Sequence, residues 1–293
     1  MRFVIRKDTQ VNNEENWDYL MNEVTPKQSD VRKLFLNATN EMINNMQESN
    51  INNIEKNIPY EKFKYNMEKL GLYLIAVYLF GANNGKKKTP GVLGKTDFSL
   101  NVQDDATQKF IGKQVDKIID GITEESKNAV NEIVKRSKKG IENLTPDMEL
   151  QRIKNVIGLN TKQALAVDNY FLSLLSKGTK IDAALRMAKE YSNKLLNDRG
   201  NTIAQTELMR ALNKGYVDFV NTAIKEGIIK EDDYLKEWWT SRDERVCKYC
   251  GPLHGVRVKP NESFDTGLGD VMESPLHTNC RCTILFVPNK ERG

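Results

Sequence analysis

All four cysteines and both histidines of the chain lie between Cys247 and Cys282. Cys247 and Cys250 form a Cys-x-x-Cys pair in CKYC. His277 and Cys280 repeat that spacing in HTNCRC, with Cys282 two residues further on. Two thiolates in Cys-x-x-Cys can occupy adjacent corners of a tetrahedron around zinc, and a His-x-x-Cys pair can supply the other two. The arrangement predicts a structural zinc centre with Cys247, Cys250, His277 and Cys280 as ligands. Cys282 is an alternate fourth ligand, because residues two apart on a strand face the same way, and His254 in PLHG is a further candidate. A disulfide and free buried thiols are the competing readings. A catalytic zinc keeps an open position and normally has a nearby base. Four thiols with only two histidines point instead to a closed site.

The elements that must position these residues change texture along the chain. Residues 1–60 are polar and Asn-rich, with apolar positions such as Val31, Leu34 and Met42 that predict short helices. A helix is expected from Pro59 to about Ala82, followed by an exposed connection, ANNGKKKTPG. From about Asp104 to Gly227 the apolar spacing is helical throughout. Thr145-Pro146-Asp147 reads as a helix start, with a hydroxyl cap, Pro at the first position and an acid favoured by the dipole. Asn160 and Thr161 open another helix, stopped by Gly178. Two more are expected, Ile181 to about Asp198 and Thr202 to Glu226. After Gly227 come short strands: Val256 and Val258 alternate with polar residues, and Thr283–Pro288 (TILFVP) reads as a strand. Trp238 and Trp239 cannot both point inward on a strand, so one is expected in the core and the other partly exposed. The predicted fold is mainly α: a multi-helix body with a small C-terminal α+β appendage of short strands, stapled by the Cys/His cluster. The expected organisation is an N-terminal helical arm (1–100), a helical body (101–227) and the stapled subdomain (228–293).

Composition narrows the function classes. The 293 residues are 39% hydrophobic, which is enough for one large or two modest domains. Lys plus Arg is 44 against 40 for Asp plus Glu, so the net charge of +4 is a weak bias and does not by itself make a nucleic-acid binder. The basic start, MRFVIRKDTQ, has no apolar run behind it and is not a secretory signal. The longest apolar run, Leu70 to Ala82, is too short to span a bilayer as a helix, so no membrane span is expected. Synthesis in a reducing cytosol makes metal or thiol chemistry the first reading of the cysteines.

Three ordered motifs carry a family resemblance. RGNTIAQTELMRALNKGY (Arg199 to Tyr216) contains Ile-Ala-x-Thr-Glu followed by Ala-x-Asn-x-Gly. EWWTSRDERVCKYCGPLHG (Glu237 to Gly255) contains Trp, Asp, Arg, Cys-x-x-Cys and Leu-x-Gly. SPLHTNCRC (Ser274 to Cys282) closes the series. Together they resemble the Mu F-like minor head proteins of tailed bacteriophages, also called phage head morphogenesis proteins. Ser274 replaces the first of the family's two prolines and Thr278 the proline after His; both changes alter loop stiffness and spare the candidate ligands. The motifs cover about 199–288, the helical stretch from about 104 fits the family layout, and residues 1–100 match no pattern of the family. The resemblance singles out Thr206, Glu207, Trp238, Asp243, Arg245 and Gly255 as structural motif residues beside the cluster.

The resemblance implies a non-enzymatic virion component, held inside the head near the portal and acting in head assembly and in DNA packaging or ejection. The partners it implies are the portal protein, a scaffold or major capsid protein, and packaged DNA bound weakly. Two rival readings start from the residues. A His-Asn-His-type metal-dependent nuclease has a superficial match in His277 and Asn279, but no adjacent His-His or Asp-His pair completes it. A small zinc-stapled DNA-binding protein lacks a basic recognition helix.

Overall fold

The computed structural model describes residues 13–46, 54, 56–89, 105–137 and 144–289. The N-terminal decapeptide, Asn12, Asn52, Asn53 and the Pro90-Gly91 end of the expected connection lie outside the described residues. Among the described residues seven α-helices come first: α1 (Asn13–Asn44), α2 (Tyr60–Met67), α3 (Leu70–Lys88), α4 (Asp105–Ser137), α5 (Pro146–Lys154), α6 (Thr161–Ser176) and α7 (Ile181–Lys225). Five short strands follow: β1 (Tyr234–Trp239), β2 (Arg257–Val258), β3 (Phe264–Asp265), β4 (Asp270–Val271) and β5 (Thr283–Pro288). The chain is therefore mainly α with a small C-terminal sheet. No described helix is long and apolar enough to cross a membrane.

Three element boundaries differ from expectation. The N-terminal segment forms one 32-residue helix with Pro26 inside it, because Leu20, Val24, Val31, Phe35, Ala38 and Met42 form one continuous buried stripe. The stretch expected as one helix from Pro59 to about Ala82 is two, α2 and α3, and α3 runs on past Ala82 to Lys88, with Asn84 buried. The two helices expected from Ile181 and Thr202 are one 45-residue helix, α7. Its junction is fixed by Arg199, which donates to the Gly158 carbonyl at 2.7 Å and pairs with Glu125 at 2.7 Å. A Cβ on the next residue, Gly200, would meet the Arg32 and Phe35 side chains at 3.0 and 3.1 Å. Burial lowers the Arg199 pKa to about 10, with Glu125 opposing the shift.

The caps are where the sequence places them. Thr145 Oγ1 accepts from the Met148 N–H at 3.3 Å. Asn160 and Gln163 form a reciprocal capping box. The stops Gly178 and Gly227 both have positive φ, a conformation glycine adopts without steric cost.

Contacts group the chain into two compact units, the long helices contributing to both. One comprises the described residues of Asp30–Gly71 and Lys109–Asn201. It buries an ionic network in which Arg152 reaches Asp168 at 2.6 Å and Glu149 at 3.2 Å. Glu149 accepts from Ser137 at 2.8 Å, and Arg136 meets Asp168 at 3.1 Å. Each buried charge here has a partner, as burial demands.

The other unit comprises the described residues of Met1–Ser29, Leu72–Gln108 and Thr202–Gly293. Here α3 and α7 cross at glycine contacts. A Cβ on Gly215 would lie 1.9 Å from the Tyr78 carbonyl oxygen, and one on Gly81 would lie 2.1 Å from that of Leu212. Tyr78 adds a hydrogen bond from its hydroxyl to Asp218 at 2.9 Å. The sheet has the order β2-β1-β5, antiparallel throughout, with β1 and β5 paired from Tyr234↔Pro288 to Trp239↔Thr283. The β3–β4 hairpin stands apart from this sheet. Its Phe264 packs edge-on against Trp238 at 5.3 Å between ring centroids. Tyr216, Phe219 and Val220 of α7 share one core with Trp238, Phe264, Ile284 and Phe286.

Lys236 is the exception in that core. It is fully buried on β1, its ammonium has no hydrogen-bond partner among the described residues, and Nζ lies 5.3 Å from the Phe264 ring centroid. Burial lowers its pKa to about 8, against the opposing charges of Glu273 and Glu262. The unfolded chain binds the proton more tightly than the folded one, so this residue's penalty is complete below about pH 8. Stability should rise as pH climbs from there towards the ordinary lysine value. Lys236→Met should raise stability near neutrality by about 3 kcal/mol and remove that rise. Chemical denaturation at a series of pH values checks both; an unchanged pH slope in the variant would sink the assignment.

Candidate metal centre

Strands β1 and β5 and two tight turns assemble the cysteine cluster. In the first turn, Cys247 Sγ receives the Cys250 N–H at 3.4 Å, and the Gly251 N–H closes on the Cys247 carbonyl at 3.0 Å. In the second, the Cys280 N–H donates to the His277 carbonyl at 3.2 Å, with Asn279 at φ +62. This brings His277 Nε2 to 3.0 Å from Cys247 Sγ and 3.1 Å from Cys250 Sγ, and places Cys280 Sγ 3.8 Å from Cys250 Sγ. Two groups of donors result, Cys247–Cys250–His277 and Cys250–Cys280–Cys282, with all donor atoms in each within 4.8 Å of one another. Cys250 belongs to both. These groups can hold a metal ion.

The electrostatics of the cluster suit that use. Burial pushes the Cys247 thiol up, but hydrogen bonds from the Cys250 and Tyr249 N–H groups bring its pKa below the ordinary value. Hydrogen bonds with Cys250 and Cys282 hold Cys280 far below it. Cys250 is pushed up in turn by its bonds with Cys280 and Cys282. For Cys282, the bond with Cys250 pulls the pKa down, but Cys280 and burial outweigh it, and the thiol is pushed up to about 12. The thiolate is the form that binds metals, and the shifts at Cys247 and Cys280 are in its favour. The His277 Nδ1 lies 2.7 Å from the Thr278 carbonyl. That contact makes Nδ1 the protonated nitrogen and leaves the Nε2 lone pair facing the sulfurs. Burial depresses the His277 pKa, but the Thr278 carbonyl and the thiols of Cys280 and Cys247 raise it overall.

A ring of contacts fixes the turns. Asp243 accepts both Arg281 Nη atoms, at 2.7 and 2.5 Å, and Arg245 Nη2 at 3.1 Å. Hydrogen bonds from Arg281, foremost, hold its carboxyl well below the usual carboxylate range. Thr206 of α7 accepts the Asn279 N–H at 3.0 Å, and Glu207 pairs with Arg210 along the helix. Gly255, at φ +78, donates to the Trp238 carbonyl at 2.8 Å and starts the β1–β2 pairing. Ser274 Oγ donates to the Cys282 carbonyl at 2.7 Å. His254 lies outside the donor groups. Its ring is 4.5 Å from that of Trp239, Nδ1 is 3.1 Å from Thr240 Oγ1, and Nε2 accepts from Arg242 Nε at 3.0 Å. Burial, then the Arg242 charge, lower its pKa, with Glu237 opposing. Trp238 lies in the core, as one of the pair was expected to; Trp239, expected to be partly exposed, is instead only 9% exposed because His254 and the Arg242 guanidinium cover it.

One organising residue escaped the sequence reading. Asn213 of α7 is wholly buried. Its Oδ1 accepts the Ile284 N–H and the Thr283 hydroxyl, each at 2.9 Å, and its Nδ2 donates to the Cys282 carbonyl at 3.2 Å. One helical turn on, the Tyr216 hydroxyl accepts the Phe286 N–H at 3.4 Å. Asn213, Gly215 and Tyr216 are the residues that the Ala-x-Asn-x-Gly-Tyr string holds in place, so each has a positional task.

The same run of motifs is what a comparison with known families picks out. Residues 167–285 match the family of phage Mu protein F like proteins. This segment is Mu F-like. The match begins within α6, runs along α7 and ends inside β5, so it takes in the whole cysteine cluster. No curated protein and no solved structure matches the chain.

Proposed function

We propose that the protein is a structural minor head component of a tailed bacteriophage, seated inside the head beside the portal and acting in head assembly and in DNA packaging or ejection. Its partners on this reading are the portal protein and a scaffold or major capsid protein. The observation that carries it is the Mu F-like match over residues 167–285, within which Thr206 and Asn213 hold the last loop and strand and Asp243 clamps Arg281.

The metal is zinc on this reading, held by Cys247, Cys250, His277 and Cys280, with Cys282 packed against them as the alternate. Tetrahedral zinc sets neighbouring sulfurs about 3.8 Å apart and a sulfur and nitrogen ~3.5 Å apart. The Cys250–Cys280 separation of 3.8 Å fits, and the His277 contacts of 3.0 and 3.1 Å are slightly short of it. An all-thiolate-and-imidazole set is the chemistry zinc prefers, and it would supply folding energy to a sheet of short strands. The nuclease reading gains no support from the geometry, since His277 faces the sulfurs and His254 is held by Thr240 and Arg242.

Elemental analysis of purified protein, with a pull-down against the portal encoded beside it, tests both parts. One zinc per chain and retention on the portal are expected. A metal-free protein that ignores the portal would remove the proposal.

A further inference from the structure

We infer that the outward face of the β3–β4 hairpin is the surface by which the protein docks on its partner, and that the partner meets it with an apolar pocket rimmed by lysine or arginine. The inference rests on the head-protein reading for the identity of that partner, the portal; the chemistry of the contact is read from this chain. Residues 260–280 contain no lysine and no arginine, although the chain as a whole is positive. The acids of that stretch are Glu262, Asp265, Asp270 and Glu273. Glu262 pairs with Lys259 at 4.0 Å, and Glu273 is half-buried near the charges of Lys214 and Lys236. Asp265 and Asp270 are exposed, and neither has an ion pair among the described residues. The register sets these two carboxylates directly opposite each other across the hairpin. Like charges so placed repel and weaken the ladder, and a cationic partner would relieve that repulsion.

Apolar side chains share that face. Alternation along the strands packs Phe264 and Val271 against the core and turns Asp265, Asp270 and Met272 outwards. Met272 is 44% exposed, and Leu268, at the tip of the hairpin, is 54% exposed. The tip is braced from within. The Gly267 N–H donates to Asp265 Oδ1 at 3.2 Å, and the Thr266 hydroxyl donates to the Gly269 carbonyl at 2.6 Å while accepting the Leu268 N–H at 3.2 Å. Gly267 and Gly269 both have positive φ, so Leu268 is held up between two residues that take that conformation without strain. A tip already fixed in one shape loses little conformational freedom on docking. Two apolar side chains beside two carboxylates form an anchor with a charged rim, the usual anatomy of a small contact surface.

Biolayer interferometry of the full-length protein on purified portal tests the inference. The unaltered protein should bind, and more weakly as salt rises. Leu268→Ser with Met272→Ser should weaken binding more than about tenfold. Asp270→Lys should weaken it as much and yet raise the melting temperature, because it turns the repelling pair into an attracting one. A merely structural residue would not move stability and binding in opposite directions. Tyr65→Ser, exposed on the other compact unit, should change neither. Far-ultraviolet circular dichroism certifies the fold; if the double variant fails that check, Asp270→Lys carries the test. Portal binding that survives the hairpin variants, or an equal loss in the Tyr65 variant, overturns the inference and leaves the head-protein reading standing. Absence of portal binding by the unaltered protein also overturns it; incorporation into heads, scored separately, then decides the head-protein reading.

Discussion

On the proposed zinc assignment, Cys250→Ser is expected to abolish metal binding and to destabilise the C-terminal core by about 4 kcal/mol or more. Cys250 is the one donor common to both groups of the cluster, and its sulfur touches both His277 and Cys280. Losing it leaves each remaining group without its link to the other. The core that would loosen is shared with α7 through Tyr216, Phe219 and Val220, so melting should extend into the C-terminal half of that helix. Cys282→Ser should cost less, about 1–2 kcal/mol, and should keep the metal, since Cys247, Cys250, His277 and Cys280 remain. Zinc stoichiometry and thermal melts of the two variants decide this. Equal metal loss in both would show that Cys282 is a ligand and Cys280 is not sufficient.

The second large effect concerns the crossing of α3 and α7. Gly215→Val should destabilise the protein by about 3–5 kcal/mol, and Gly81→Val by a similar amount. A Cβ at either position falls onto a backbone carbonyl of the other helix, at 1.9 and 2.1 Å, and backbone cannot swing aside as a side-chain end can. The helices would have to separate, and with them the Tyr78–Asp218 hydrogen bond. Gly121→Ala supplies the control: nothing lies within 4 Å of its Cβ position in α4, so the change should stabilise by about 0.5–1 kcal/mol through helix propensity. Urea denaturation of the three variants gives the comparison. A Gly215→Val protein as stable as its parent would mean that the helices do not approach this closely.

Much of this architecture was legible because it is written locally. The Thr145 and Asn160 caps, the Gly178 and Gly227 stops and the TILFVP strand depend on residues within a few positions of one another. The pairing of two x-x spacings likewise announced the cluster. What was not legible depends on distant partners. The continuity of α7 through Arg199-Gly200 is secured by Gly158, Glu125, Arg32 and Phe35, and no window around residue 200 contains them. Asn213 reads as an indifferent helix residue until β5 is laid beside it. One of Trp238 and Trp239 was expected to be partly exposed because strand alternation allows only one inward face. The cover supplied by His254 and Arg242 comes from a loop whose path the alternation does not predict.

The hold of Asn213 and Tyr216 on β5 has a consequence for the protein in bulk. An apolar, β-branched strand such as TILFVP with a bare outer edge is a template on which other chains can add. Here the outward N–H groups of Ile284 and Phe286 are occupied by α7. The opposite border of the sheet is the two-residue β2, which offers a charged arginine. Both borders of the sheet are thereby made poorer templates for a second chain. On the β5 side that protection against aggregation comes from one asparagine and one tyrosine. Asn213→Leu, even where it folds, should be recognisable by the fibrils or precipitate it forms rather than by its melting temperature.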